Sequence, residues 1–91
     1  MRIEVLEKSK MEQIKKGITS IFDGENKTLN VSNIAPSVMI ELIEKAGGKV
    51  LEDEMSFNGW YCDFWVPVTF KSLKLTLSGS AFYGTLTLSI D

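Results

Sequence analysis

Glu52, Asp53, Glu54 and Asp63 place four carboxylates close together in the chain, with Cys62 beside the last of them. Paired carboxylates can move protons for a substrate or hold a hard cation through oxygen ligands. Whether these meet depends on register. Asn58-Gly59 is a two-residue hairpin signal, because both residues tolerate positive φ. A hairpin closed there sets Glu54 opposite Asp63 and Glu52 opposite Trp65, and turns Asp53 toward the apolar side opposite Phe64. Like charges face to face are unfavourable, and an unpaired charge among apolar side chains is costly. A strand that bulges near Glu52 to Glu54, or ends before them, removes both conflicts. The expectation is a solvated acidic edge, with no metal site and no catalytic pair.

Cys62 alternates in phase with apolar neighbours and reads as a small buried hydrophobe. The chain contains no histidine, which excludes Ser–His and Cys–His nucleophilic mechanisms. Gly79 and Gly84 lack the spacing of a phosphate loop and read as turn and strand-bend glycines. Met11, Met39 and Met55 read as core. No cofactor is expected.

The remaining chemistry is aromatic. With two-residue hairpin loops, Trp65 falls opposite Ser78 and Ser78 opposite Tyr83, with Tyr61 one step along. Thr69, Lys74, Thr76, Thr85 and Thr87 fill the surroundings. Aromatics among hydroxyls on an uncovered sheet make a contact surface of large area and low entropic cost. Tyr61, Trp65, Ser78 and Tyr83 are therefore the candidate binding residues. Base stacking on such a platform normally comes with a basic groove. Here the net charge is -2 and the lysines are dispersed, so no nucleic-acid partner is expected.

Several elements must position that face. From 58 to 90 the sequence alternates: Trp60, Cys62, Phe64, Val66, Val68 and Phe70 share one side, as do Leu73, Leu75 and Leu77, then Leu86, Leu88 and Ile90. Pro67 cannot donate to a ladder, so it belongs at a bulge, a strand end or an unpaired edge site. Lys49 to Phe57 supplies a further strand. Lys71-Ser72 and Gly79 to Ala81 mark turns.

Upstream, Ile3 and Val5 alternate, which predicts a short edge strand over Arg2 to Leu6. Ser9 and Glu12 have capping-box spacing. A helix is expected from Lys10 to Phe22, with Gly17 costing it about 1 kcal/mol relative to alanine. Thr28 to Val31 is a short extended piece. A second helix, about Ile34 to Ala46, has Ser32 or Asn33 as N-cap, Pro36 in its first turn, a Glu41–Lys45 pair and Gly47-Gly48 as C-terminal cap.

Ninety-one residues, 44% hydrophobic and 24% charged, fit one globular domain over 1–91. The fold class is α+β, two-layer: an antiparallel four-stranded β-meander, extended to five if Arg2 to Leu6 pairs, with two helices packed on one face. The C-terminal strand has no charge or proline to protect an edge. Arg2 to Leu6 pairing beside it, or an edge-to-edge dimer, would cover it. One cysteine, no membrane-length apolar run and no secretory h-region point to a cytoplasmic setting. The functional expectation is a non-enzymatic protein-interaction module whose partner is another protein or a second copy, as in a homodimer. The alternative is small-ligand or carbohydrate-like binding on the aromatic face.

Overall fold

The computed structural model describes residues 2–58, 63–80 and 84–91. In chain order the elements are α1 (Arg2–Phe22), β1 (Thr28–Ser32), α2 (Pro36–Lys45), β2 (Lys49–Val50), a 3-10 turn (Glu52–Glu54), β3 (Ser56–Asn58), β4 (Asp63–Phe70), β5 (Leu73–Ser80) and β6 (Thr85–Ile90). Six strands form one antiparallel sheet in the order β1-β6-β5-β4, with β2 and β3 both on the outer side of β4. The fold is α+β, with its helices over one face of an open sheet.

Arg2 to Leu6 is the first turn and a half of α1, not a strand. Two alternating positions cannot outweigh a run of helix formers joined to a helix already nucleated downstream, since adding a residue to a helix is far easier than starting one. Ser9 consequently lies inside the helix, exposed, and caps nothing. Gly17 has a packing reason: a Cβ there would stand 2.6 Å from Leu29 Cδ1, so the missing side chain lets β1 lie close against α1.

Ala35, extended at φ -69 and ψ 140, is the N-cap of α2, and Pro36 follows it in the first turn. Ser32 instead ends β1, and Asn33 turns the chain at φ 58. The helix closes as its glycines require. Gly47 is left-handed at φ 103, its N–H donates to the Glu44 carbonyl, and the Gly48 N–H donates to the Ile43 carbonyl, each at 3.0 Å. Glu41 and Lys45 pair at 3.3 Å, an exposed contact that adds little.

One apolar layer joins helices and sheet. Ile14, Ile18 and Ile21 from α1 and Met39, Leu42 and Ile43 from α2 are buried against Val66, Val68, Leu75, Leu77, Leu86 and Leu88. Phe64 is half-buried at the rim of this core. Met55, assigned to the core by the sequence, is exposed, because it follows the 3-10 turn out of the sheet.

The meander from β3 to β6 is present, with its first strand split in two. Both outer hairpins are longer than two residues. Asn58 pairs with Asp63 and Ser80 with Thr85, which shifts each register by four from the two-residue expectation. An even shift leaves every side chain on its expected face. The strand that covers β6 is β1, through Thr28↔Ser89 to Ser32↔Thr85, so neither Arg2 to Leu6 nor a second subunit is needed there.

Candidate functional site

The face of the sheet away from the helices is built from the polar half of each strand's alternation. Its central row crosses the whole sheet: Ser56 on β3, Trp65 on β4, Ser78 on β5, Thr87 on β6 and Asn30 on β1 are successive cross-strand partners. Thr87 Oγ1 donates to Asn30 Oδ1 at 2.7 Å, which ties the last two members together. A parallel row runs Pro67, Thr76, Ser89, Thr28. Within it Thr76 Oγ1 donates to Asp91 Oδ1 at 2.6 Å.

Among the described residues Trp65 is the largest side chain of this face, and it is 45% exposed. Its neighbours in the row are a serine on each side, too short to cover an indole. Ser78 lies opposite Trp65, as its spacing predicts. Ser78 then faces Thr87, not Tyr83: β5 continues to Ser80 before the chain turns, which carries the register four residues along. Tyr61 and Tyr83 themselves, with Trp60 and Cys62, lie outside the described residues. Among the described residues the row is one exposed indole beside small hydroxyls and a carboxamide.

The carboxylates do not meet. Ser56, not Glu52, is opposite Trp65, and Asn58, not Glu54, is opposite Asp63. Glu52, Asp53 and Glu54 form the exposed 3-10 turn between β2 and β3, so Asp53 does not enter the core. Among the described residues no group of three or more Asp, Glu, Cys or His is close enough to hold a metal ion. None of their buried side-chain polar atoms lacks a partner. No helix among them is long and apolar enough to cross a membrane.

Two features escape periodicity. A hollow of about 330 Å³ is lined by Ile34, Pro36, Phe57, Phe64 and Leu86, with Ser80 and Thr85 at its margin. Gly79, between Phe64 and Leu86 in cross-strand register, leaves room for those two side chains to close over it, and both line the hollow. Phe57 at its lip is 67% exposed. A second hollow, about 340 Å³, runs between α1 and the outer side of β1. It lies where α1 passes beside β1, and nothing local in the sequence signals where β1 is placed in the sheet.

No protein-family model matches this chain, and comparison with curated proteins and with solved structures returns no match.

Proposed function

We propose that this chain is a small protein-interaction module, without catalytic activity of its own, that engages a partner through the open sheet face centred on Trp65. One observation carries the reading. A large aromatic stands 45% exposed on β4, in a row whose other described members are Ser56, Ser78, Thr87 and Asn30, all small and polar. An indole supplies much contact area with few rotamers to freeze, and partly exposed tryptophans are preferred anchors at interfaces. The surrounding hydroxyls offer adaptable hydrogen bonds at its rim. The absence of histidine, and the placing of Glu52, Asp53 and Glu54 on an exposed turn with none of them opposite Asp63, favour contact over catalysis. The single cysteine fits a reducing, cytoplasmic setting.

An indole among hydroxyls also suits stacking on a sugar ring. Protein contact ranks first because Tyr83 is not opposite Ser78, so the described row presents one aromatic rather than a platform.

Affinity capture with the tagged chain tests the first reading. Trp65→Ala should keep the wild-type circular dichroism spectrum and lose the captured partner. Equal capture by the folded variant removes Trp65 from the interface and overturns the reading. For the sugar alternative, indole fluorescence is titrated with a panel of mono- and oligosaccharides in a Trp60→Phe background, where Trp65 is the sole indole. A saturable shift would move the assignment from protein to carbohydrate.

A further inference from the structure

We infer that β1 is a self-pairing edge: two copies of this chain join β1 to β1 about a two-fold axis at Asn30, making one continuous antiparallel sheet. The edge lies three strands from Trp65, at the β1 end of the same row, and would pair through its backbone.

Asn33 N–H donates to the Gly84 carbonyl at 2.9 Å, and Ile90 N–H donates to the Lys27 carbonyl at 3.0 Å. Both belong to the β1–β6 register, and both involve odd-numbered residues of the first segment. Ladder bonds in an antiparallel pair alternate, so Leu29 and Val31 bond to β6. Thr28, Asn30 and Ser32 therefore turn their N–H and C=O groups outward. Among the described residues no strand pairs with β1 on that side.

The two edges of the sheet are treated differently. On the far side, β2 and β3 are two and three residues long, are separated by a turn carrying three acids, and face Pro67. Short, interrupted, charged edges resist pairing. Strand β1 is five residues, Thr-Leu-Asn-Val-Ser, with no charge and no proline. Its protection is Lys10, whose Nζ donates to the Ser32 and Asn33 carbonyls at one end. Each carbonyl keeps a second lone pair.

The segment is also complementary to itself. The antiparallel register centred on Asn30 pairs all three outward residues, Thr28 with Ser32, Asn30 with Asn30, and Ser32 with Thr28. It sets small polar side chains against one another on the outer face. Leu29 meets Val31 on the inner face, beside the hollow that Ile14 and Gln13 of α1 share with β1. An interface that matches itself under a two-fold rotation closes as a dimer and does not propagate. The register brings Lys27 of each copy across from Asn33, near Lys10. That like-charged approach is screened at moderate ionic strength.

The test is light scattering after size exclusion, at about 0.15 M salt and from about 1 μM to 1 mM chain. The wild type should move from 10.2 kDa toward twice that mass with rising concentration. Thr28→Pro and Asn30→Pro each remove an outward N–H and no backbone bond to β6, Asn30→Pro giving up in addition the side-chain oxygen that accepts from Thr87, so both should fold and stay at 10.2 kDa. Trp65→Ala should still dimerise, which separates this proposal from the reading of the open face. A wild type that remains monomeric at the highest concentration overturns it, as do proline variants that still dimerise. Amide hydrogen exchange of the wild type gives a readout that needs no variant to fold. Thr28, Asn30 and Ser32 should gain protection with concentration while Leu29 and Val31 stay protected throughout. Fast exchange of the first three at about 1 mM counts against the pairing.

Discussion

Leu51 N–H donates to the Pro67 carbonyl at 2.9 Å, and Pro67 has no N–H to return. The strand beside β4 breaks at this point. From Leu51 to Ser56 the chain advances five residues while β4 advances two, from Pro67 to Trp65. The three extra residues are Glu52, Asp53 and Glu54, thrown out as a 3-10 turn. One missing donor thus decides where the edge of the sheet splits and why its acids face solvent. Alternation along β4 tells which substitutions matter. Odd residues point their backbone to this broken edge and even ones to β5, as the Phe70↔Leu73 hairpin requires. Pro67→Thr should change stability by less than about 1 kcal/mol, since the restored N–H meets only a broken edge. Val66→Pro, one residue away, breaks the bond to Leu77 and should lose about 3 kcal/mol or more. Urea denaturation of both variants checks the pair. Equal losses would mean the ladder direction is reversed.

Gly17 and Leu29 set a helix preference against a packing requirement. Alanine at position 17 should favour α1 by about 1 kcal/mol. Its Cβ would stand 2.6 Å from Leu29 Cδ1 and 3.0 Å from Cδ2, so the half-buried leucine has to move. In the wild-type background Gly17→Ala should therefore gain nothing or lose stability. In a Leu29→Ala background the clash is gone, and the same change should stabilise by about 1 kcal/mol. A double-mutant cycle in urea measures the coupling. Additive effects would mean that α1 and β1 do not touch at this point.

These residues also mark what local sequence can reveal. The two faces of the sheet were legible because side-chain period survives an even slip, so Val66, Leu75 and Leu88 are buried even though both outer hairpins are four residues out of the simplest register. Trp65 opposite Ser78 was legible because Lys71-Ser72 closes β4 and β5 in two residues, with Lys71 taking the left-handed position at φ 54 without a glycine. Gly79 resembles a turn glycine, which sets the simplest register at Ser78 opposite Tyr83, where the sheet has Thr87. Its actual role is to leave room for Phe64 and Leu86 within a strand that runs on to Ser80. The partner of β6 was not legible at all. Thr28 to Ser32 is five residues long and pairs with a segment almost sixty positions away, and nothing in its own pattern distinguishes one sheet edge from another.

Gly79 carries a prediction of its own. A Cβ there would come within 2.5 Å of Leu86 Cδ2 and 2.6 Å of Phe64 Cε1. Two side chains converge on the space, one of them fully within the core, so neither can yield freely. Gly79→Ala should cost about 1–3 kcal/mol by overpacking. The better β propensity of alanine recovers a fraction of that. Thermal denaturation provides the measure. A stabilised variant would show that the space beside Phe64 is larger than the row implies.

The two faces of the sheet predict unequal responses to truncation. Leu86 is 3% exposed on β6, packed in the layer shared with both helices. Leu86→Ala removes buried methyl groups and leaves a cavity, at about 2–5 kcal/mol, a large share of the stability of a chain this size. Trp65 is a larger side chain but 45% exposed, with no helix above it. Its truncation uncovers neighbouring Ser56 and Ser78 to water without opening an enclosed space. Trp65→Ala should therefore cost less than half of what Leu86→Ala costs, despite the greater number of atoms removed. Urea midpoints of the two variants, compared at equal slope, decide the matter. If Trp65→Ala proves the more destabilising, the indole is serving the fold, and the contact surface has to be sought elsewhere on the molecule.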